Sequence, residues 1–257
     1  MNSSAPRGAH EAEFDVLADW TSLELIGRDR PSVLAGACRG SGSPAALAWL
    51  AESLRLEPGL ALLDVGAGLG GPAAWAEEHY GVRPVTVEPM VRACAGSRRL
   101  FDHRVLAAAG GALPIRTGSF DAGWVLGVLD TLDDPLATLG DMRRALSPQG
   151  RLGVLAYVAD QPIPPGRSPE GNHFPTSDGL VEQLADADFM VVDQAPGDAL
   201  PDAPLDWRLR QDRLDRILDD LHGEDARWDH AKAQEAAFGS LLADGFVVPL
   251  LLHAVCI

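Results

Sequence analysis

Lysine is almost missing from this chain of 257 residues, since Lys232 is the only one. Acidic residues outnumber basic ones by 37 to 21, which gives a formal net charge of −16. A field of that sign repels phosphate backbones, and a lone lysine leaves no polybasic patch for anionic lipid. We therefore expect no nucleic-acid partner and no membrane partner.

Cysteine is also scarce. Cys38, Cys94 and Cys256 lie far apart and form no CxxC pair, so a zinc site is not expected and no metal ligands are predicted. An odd and sparse count is typical of a reducing compartment. The first ten residues are polar and lack the apolar core of a secretory signal. These features together predict a cytoplasmic protein.

No apolar run is long enough to cross a bilayer. The longest one, from Phe246 to Ile257, is broken by His253 and is predicted to be a buried strand. Hydrophobic residues still make up 46 % of the chain, which is enough for a sizeable core. The length fits one α/β domain with decorations.

Between residues 60 and 158, apolar segments of strand length alternate with segments of helical length. Strands are predicted at 60–65, 84–87, 105–108, 120–126 and 151–158. Helices are predicted at 71–80, 91–100 and 136–146. Such alternation forms right-handed βαβ units around a parallel sheet. The predicted fold class is therefore a doubly wound α/β sheet.

The second half of the chain has a different character. Residues 160–175 are rich in proline and glycine, which predicts a loop. A helix around Leu180 and a strand at 189–192 should follow. Between residues 196 and 244 two amphipathic helices are predicted, and we interpret them as a cap beside the mouth of an active site. A strand at 246–255 closes the chain.

A glycine-rich segment follows the first predicted strand. Asp64 ends the strand, and glycines stand at 66, 68, 70 and 71. Glycine allows a sharp turn and a close approach of ligand to backbone, and the next helix directs free N–H groups at the same space. Glu88, at the end of the second strand, is placed to accept ribose hydroxyls. The segment predicts a site for a nucleotide-like ligand.

Two ligands fit this pattern. The glycines at 66, 68 and 71 also satisfy the dinucleotide fingerprint GxGxxG, so an NAD(P)-dependent oxidoreductase is an alternative. Against it, no second nucleotide-binding half follows, and no nicotinamide site or hydride-handling residue can be named. Asp64 can also brace the loop and lie near a cationic amino-acid head group.

Residues 60–158 resemble the core of the class I S-adenosylmethionine-dependent methyltransferases, in particular the small-molecule branch. The resemblance is carried, in order, by Leu63–Pro72, Val87–Pro89, Ala112–Ile115, Ser119–Asp121, Asp133–Pro135 and Leu146–Leu152. It implies a mostly parallel seven-stranded sheet with an antiparallel last strand. It also implies a helical N-terminal segment at 1–43 and a methyltransferase-fold domain at 44–257, with the cap inserted at 196–244.

The resemblance implies S-adenosyl-L-methionine as the cofactor and assigns it a set of residues. The implied contacts are Asp64, Gly66, Ala67 and Gly68 at the methionine part, Glu88 at the ribose, Pro89, Met90, Ala109 and Gly110 at the adenine, and Leu126 and Gly127 beside the donor sulfur. Arg39 is a further candidate, for the cofactor carboxylate.

Ala109 is a departure from the family pattern, because the family usually has an acid here that accepts from the adenine amino group. Losing one charge-assisted hydrogen bond costs about 1.5 to 3 kcal/mol. Ala109 motivates a second alternative, a methyltransferase-like fold that acts as a non-methylating pocket enzyme or as a binding protein.

The predicted activity is methyl transfer to an oxygen, nitrogen or carbon nucleophile of a small molecule. A base is needed only if the acceptor must lose a proton. His173, in the loop after the fifth strand, is the catalytic candidate, although a loop histidine can also simply cap or pack. Tyr157 and Asp160 could orient a substrate, and Asp130 could either face the pocket or cap a turn.

Overall fold

A computed structural model describes residues 7–257, with side chains from Phe14 onward. The strands in this range are β1 (Ala61–Val65), β2 (Arg83–Glu88), β3 (Arg104–Ala107), β4 (Phe120–Leu126), β5 (Leu146–Ala159), β6 (Phe189–Pro196) and β7 (Val247–Cys256). The helices are α1 (Arg7–Leu25), α2 (Arg30–Ala37), α3 (Pro44–Ser53), α4 (Gly71–Tyr80), α5 (Val91–Phe101), α6 (Pro135–Ala145), α7 (Ser177–Asp186), α8 (Leu205–His222) and α9 (Ala226–Ala243).

The strands form one sheet with the order β3-β2-β1-β4-β5-β7-β6. Strands β1 to β5 pair in parallel, while β7 runs antiparallel to both β5 and β6. The predicted fold class is confirmed, including the reversed last strand. A dinucleotide-binding sheet would continue with a further parallel strand after β5. Here the neighbour of β5 is the antiparallel β7, so the topology is against the oxidoreductase alternative.

Successive residues of the central strands face opposite sides of the sheet, as the period of two requires. Leu62 and Trp124 face the side that α3 and α4 cover. Leu63 and Val125 face the side that α6 and α7 cover. Because both faces are buried, the strands are apolar throughout, and that continuous apolar character made them recognisable in the sequence.

The N-terminal helices and the cap helices pack on each other through a third apolar cluster. It joins Leu25 of α1 and Val33 of α2 to Leu214 and Leu218 of α8. Leu69, from the glycine segment after β1, belongs to the same cluster. The cap is therefore packed directly against the glycine segment.

Three sequence-based expectations need correction. The sequence predicts a short first helix from Glu11 to Trp20, but α1 extends from Arg7 to Leu25. The residues at 147–150 predict a turn, but they lie within β5, whose pairing with β4 passes from Leu146 to Arg151 through an irregularity. Helical spacing in the insert groups Leu221 with Leu214 and Leu218, but Leu221 is 56 % exposed. Helical spacing identifies the apolar face of a helix, but it does not show which part of that face packs against another element.

Because helices bury both faces of the sheet, a buried leucine and an exposed leucine should contribute very differently to the free energy of unfolding. Leu50 of α3 is fully buried against the sheet, whereas Leu209 of α8 is 53 % exposed. We expect Leu50→Ala to lower the free energy of unfolding by about 2 to 5 kcal/mol, because it leaves a cavity. Leu209→Ala should change it by no more than about 0.5 kcal/mol. Urea denaturation measures both, and equal losses would contradict the packing described.

Candidate functional site

The glycine segment forms a tight loop between β1 and α4. The N–H groups of Gly66 and Ala67 donate to the carbonyl of Val87 at 2.9 and 3.1 Å, which ties the loop to the end of β2. Gly68 has a φ of +53°, and a Cβ built there meets no heavy atom within 4 Å. The loop therefore presents open space at Gly68, where a ligand could approach the backbone.

Glu88 lies at the end of β2 and connects two loops. Its Oε2 accepts from the N–H of Gly68 at 2.8 Å, and its Oε1 accepts from the N–H of Met90 at 2.9 Å. The residue is 3 % exposed. A carboxylate has about four acceptor positions, so these two bonds do not exhaust it. The position suits an acceptor for ribose hydroxyls beside the loop.

Asp64 lies in β1, directly before the loop, and is 2 % exposed. Within the described residues its Oδ2 has no hydrogen-bond partner. Burial raises the pKa of Asp64 to about 7, the indole of Trp124 opposes the rise, and the charge of Glu88 adds to it. A buried acceptor of this kind requires an explanation. A cationic amino-acid head group bound beside the loop would provide one.

The residues expected at the adenine end lie together after β2 and β3. The N–H of Ala108 donates to the carbonyl of Glu88 at 3.2 Å, so the segment after β3 runs beside Pro89 and Met90. Ala109 is exposed, and Gly110 begins a single turn of 3-10 helix. Ala109 itself brings no side-chain acceptor to this end of the site.

Gly127, after β4, marks the end of the site where the donor sulfur is expected. It follows the buried Leu126 and has a φ of +67°. A Cβ at Gly127 would lie 2.4 Å from the carbonyl oxygen of Gly40 and 3.8 Å from the ring of Tyr157. The N-terminal segment therefore lies over the end of β4, and only glycine fits between them.

Arg39 is held by the cap. Its guanidinium lies 2.9 Å from Oδ1 of Asp215 in α8 and 3.5 Å from Oε1 of Glu235 in α9. These contacts fix the segment next to Gly40 to both cap helices. Sequence reasoning offered Arg39 for the cofactor carboxylate and did not anticipate these acidic partners, because they follow it by more than 170 residues.

The loop after β5 forms one wall of an open cleft of about 810 Å³. His173 lines the cleft, its side chain is 68 % exposed, and its Nε2 lies 4.0 Å from Asp133. The lining comes from the segment after β4, the loop after β5 and α7, rather than from the cap. The predicted catalytic histidine is thus placed at the surface beside the ends of β4 and β5.

The cap covers the other side of that loop. The ring of Phe238 in α9 packs edge-on against Tyr157, with 4.7 Å between the centroids, and stacks on Phe174 at 5.9 Å. Arg167 forms an ion pair with Asp244 at 2.6 Å. The two aromatic contacts bring α9 to the end of β5 and to the loop that follows it.

The described residues hold no group of three or more histidines, cysteines or acids that could bind a metal ion. In the same part of the chain, no helix combines the length and apolarity that a membrane span needs.

Comparison with known proteins shows which domain and which fold this chain resembles. Residues 63–154 match the family model of the methyltransferase domain. The cyclopropane synthase MmaA2 from Mycobacterium tuberculosis superposes with a TM-score of 0.71 at 16 % identity, covering 99 % of this chain and 100 % of that chain. The 4+2 cyclase SpnF gives 0.66 at 23 % identity over 82 % and 80 % of the two chains.

A further structural relative is the geranyl diphosphate C-methyltransferase from Streptomyces coelicolor A3(2), solved with geranyl diphosphate and S-adenosyl-L-homocysteine. Its TM-score is 0.62 at 18 % identity, over 83 % of this chain and 79 % of that chain. Such identities establish a shared fold. Together with the match of residues 63–154 to a methyltransferase domain, they show that this chain has the class I methyltransferase fold. The matched methyltransferase domain implies S-adenosylmethionine as the cofactor.

The pKa of Asp64 predicts how cofactor affinity depends on pH. If the cationic head group binds the ionised carboxylate, affinity should rise by up to about tenfold between pH 6 and pH 8, because the ionised fraction rises that much around a pKa of about 7. In the free protein the same group has the opposite effect on stability. Because the pKa is raised from its ordinary value of 3.8 to about 7, the free energy of unfolding should fall as the pH rises through this range, and it should level off above about pH 7. Calorimetry with S-adenosylhomocysteine measures the affinity.

Asp64→Asn serves as the control for this titration, because it cannot ionise. Its affinity should be lower and nearly flat over the same pH range. A flat profile in the wild type, or an equal slope in the variant, would contradict the assignment.

Proposed function

We propose that this protein transfers a methyl group from S-adenosylmethionine to a nucleophile of a small molecule. The observation that carries the proposal is the arrangement at the ends of β1 and β2. There the open backbone at Gly68, the carboxylate of Glu88 and the buried acceptor of Asp64 converge. These groups match a ligand with an amino-acid head at one end and a ribose at the other.

In this proposal each end of the cofactor has its own residues. Asp64, Gly66, Ala67 and Gly68 hold the methionine part, and Glu88 accepts from the ribose. The adenine lies against Pro89, Met90 and Gly110, beside Ala109, and the donor sulfur lies beside Leu126 and Gly127. Arg39, bound to two acids of the cap, would order the N-terminal segment over this end rather than bind the carboxylate directly.

The acceptor would bind between the loop after β5, the N-terminal segment and the cap. The packing of Phe238 on Tyr157 and Phe174 supports this location, because it closes one side of the site with apolar surface. Closure of such a cap excludes water from the reacting groups. His173 stays the sequence-based candidate for a base, and its exposed ring lies within reach of the solvent.

The domain organisation and the cellular location are also proposals. We propose that the N-terminal segment up to residue 43, which the structure describes from Arg7 onward, is helical and covers a domain at 44–257, with the insert at 196–244 as the cap of that domain. The proposed compartment is the cytoplasm, since the three cysteines are unpaired. The acidic charge favours small molecules over nucleic acids as partners.

One observation favours a second candidate. Ala109 supplies no side-chain acceptor to the adenine, and the fold is shared with a cyclase as well as with a methyltransferase. The same pocket could therefore hold the cofactor and shape a substrate without methylating it. This candidate predicts binding of S-adenosylmethionine without formation of S-adenosylhomocysteine for any acceptor.

Glu88→Gln tests the cofactor site. The amide keeps the volume but loses the charge and one of the two acceptor oxygens, so affinity for S-adenosylhomocysteine should fall about tenfold to a hundredfold. Thermal shift and calorimetry measure the loss. Glu57→Gln is the matched control, because Glu57 is exposed on the connection between α3 and β1. Equal affinities for the wild type and both variants would refute the site.

Turnover separates the two candidate functions. The protein is incubated with S-adenosylmethionine labelled on the methyl group and a panel of small hydroxylated, aminated and carbon-nucleophilic acceptors. Label transferred to any acceptor, in the wild type but not in Glu88→Gln, supports methyl transfer. Tight binding with no transfer across the panel supports the non-methylating candidate.

A further inference from the structure

A buried carboxylate lies beside the donor end of the site and is used by none of the cofactor contacts. Asp130 follows β4 in a short 3-10 turn and is 2 % exposed. Its Oδ2 accepts from the side-chain amide of Asn172 at 2.9 Å. Within the described residues its Oδ1 is buried and has no hydrogen-bond partner. An unsatisfied buried acceptor is costly, so it indicates a missing donor.

The surroundings of Asp130 show where that donor would come from. The N–H of His173 donates to the carbonyl of Asp130 at 2.6 Å, which fixes the loop after β5 against the turn. The charge of Asp130 also acts on Tyr157, whose pKa is raised to about 12 by burial first and by Asp130 second. Tyr157 in turn borders Gly127, so its ring lies near both Asp130 and the donor end of the site.

The wall next to this carboxylate is aromatic. Phe238 contacts both Tyr157 and Phe174, and these contacts join the end of β5 and the loop after it to the cap. Flat rings of this kind pack well against an apolar or aromatic molecule. A single buried acceptor on an otherwise apolar wall fixes the orientation of such a molecule.

The charged side chains of the adjoining cleft favour an acceptor that is not anionic. Asp133 and Asp160 line this cleft, and neither lysine nor arginine is among its lining residues in the described part of the chain. These two acids would repel a diphosphate such as the one bound by the related C-methyltransferase. The acceptor should therefore be neutral or cationic.

We propose that Asp130 binds the nucleophile of the methyl acceptor, and that this nucleophile is a hydroxyl or amino group on a flat apolar molecule, donating its hydrogen to Oδ1. This inference rests on the proposed methyl transfer and narrows it to oxygen or nitrogen, away from carbon.

The chemistry of the step is consistent with that role. The oxygen or nitrogen forms a bond to the methyl carbon while the bond from that carbon to sulfur breaks, and the electron pair stays on sulfur. The proton of the acceptor passes to Oδ1 of Asp130. Burial raises the pKa of Asp130, which makes it a better base than an exposed aspartate.

The variant Asp130→Asn should reverse the preference of the pocket for ligands that donate a hydrogen bond. The amide of Asn172 donates and needs an oxygen opposite it, so the new amide should turn its oxygen toward Asn172. Its NH₂ group would then face the site in place of Oδ1. A pocket that accepts hydrogen bonds thereby becomes one that donates them, which a purely structural role for Asp130 does not predict.

The probes are naphthol, naphthylamine and methoxynaphthalene, the last of which lacks a donor. Their binding to protein saturated with S-adenosylhomocysteine is measured by saturation-transfer NMR. The wild type should prefer naphthol or naphthylamine over methoxynaphthalene by about tenfold, since the hydrogen bond is to a charged group. Asp130→Asn should reverse the preference, and Asp133→Asn should keep it. The two donor probes distinguish an oxygen from a nitrogen acceptor.

Affinity for S-adenosylhomocysteine is measured on every variant. If the wild type does not bind S-adenosylhomocysteine, the proposed function itself is refuted. If it does bind, the absence of a donor preference in the wild type, or an unchanged preference in Asp130→Asn, overturns the inference alone. If Asp130→Asn does not fold, Asp130→Ser should abolish the preference without reversing it, and an unchanged preference there overturns the inference as well.

Discussion

The carboxylate of Glu88 is the constraint on which the site depends. It accepts from the N–H of Gly68 on one side and from the N–H of Met90 on the other, so it fixes the loops after β1 and β2 relative to each other. Charge-assisted bonds to backbone N–H groups are short and strong, and here they are almost fully buried. The glycine loop is therefore held in place before any ligand binds. This reduces the conformational entropy that the loop loses on binding.

The N-terminal segment and the cap are coupled to that loop. Leu69 packs with α1, α2 and α8 in one apolar cluster, and the carbonyl of Gly40 lies against Gly127 at the other end of the site. Arg39 then joins this segment to acids of both cap helices. A movement of the cap would change the contacts over the donor end, so access of the acceptor and the position of the cofactor are linked through the same residues.

Much of the core could be predicted from the sequence, because its signals are local. Apolar strands bounded by glycine and proline gave the order of β1 to β5, and the spacing from Asp64 to Glu88 pointed to the cofactor loop. The contacts that complete the site are not local. Asn172 is 42 residues from Asp130, and Glu235 is 196 residues from Arg39. No spacing rule connects such pairs. The sequence alone therefore leaves two roles open for Asp130, a turn cap or a residue of the pocket.

The central claim is that S-adenosylmethionine binds along the ends of β1 and β2. The most direct measurement is an amide correlation spectrum of the isotope-labelled protein, recorded before and after addition of the cofactor. The account predicts that the resonances of residues 66–70 and 88–90 shift, while those of the edge strand β6 do not. Shifts confined to other parts of the chain, or no shift at saturating cofactor, would contradict it.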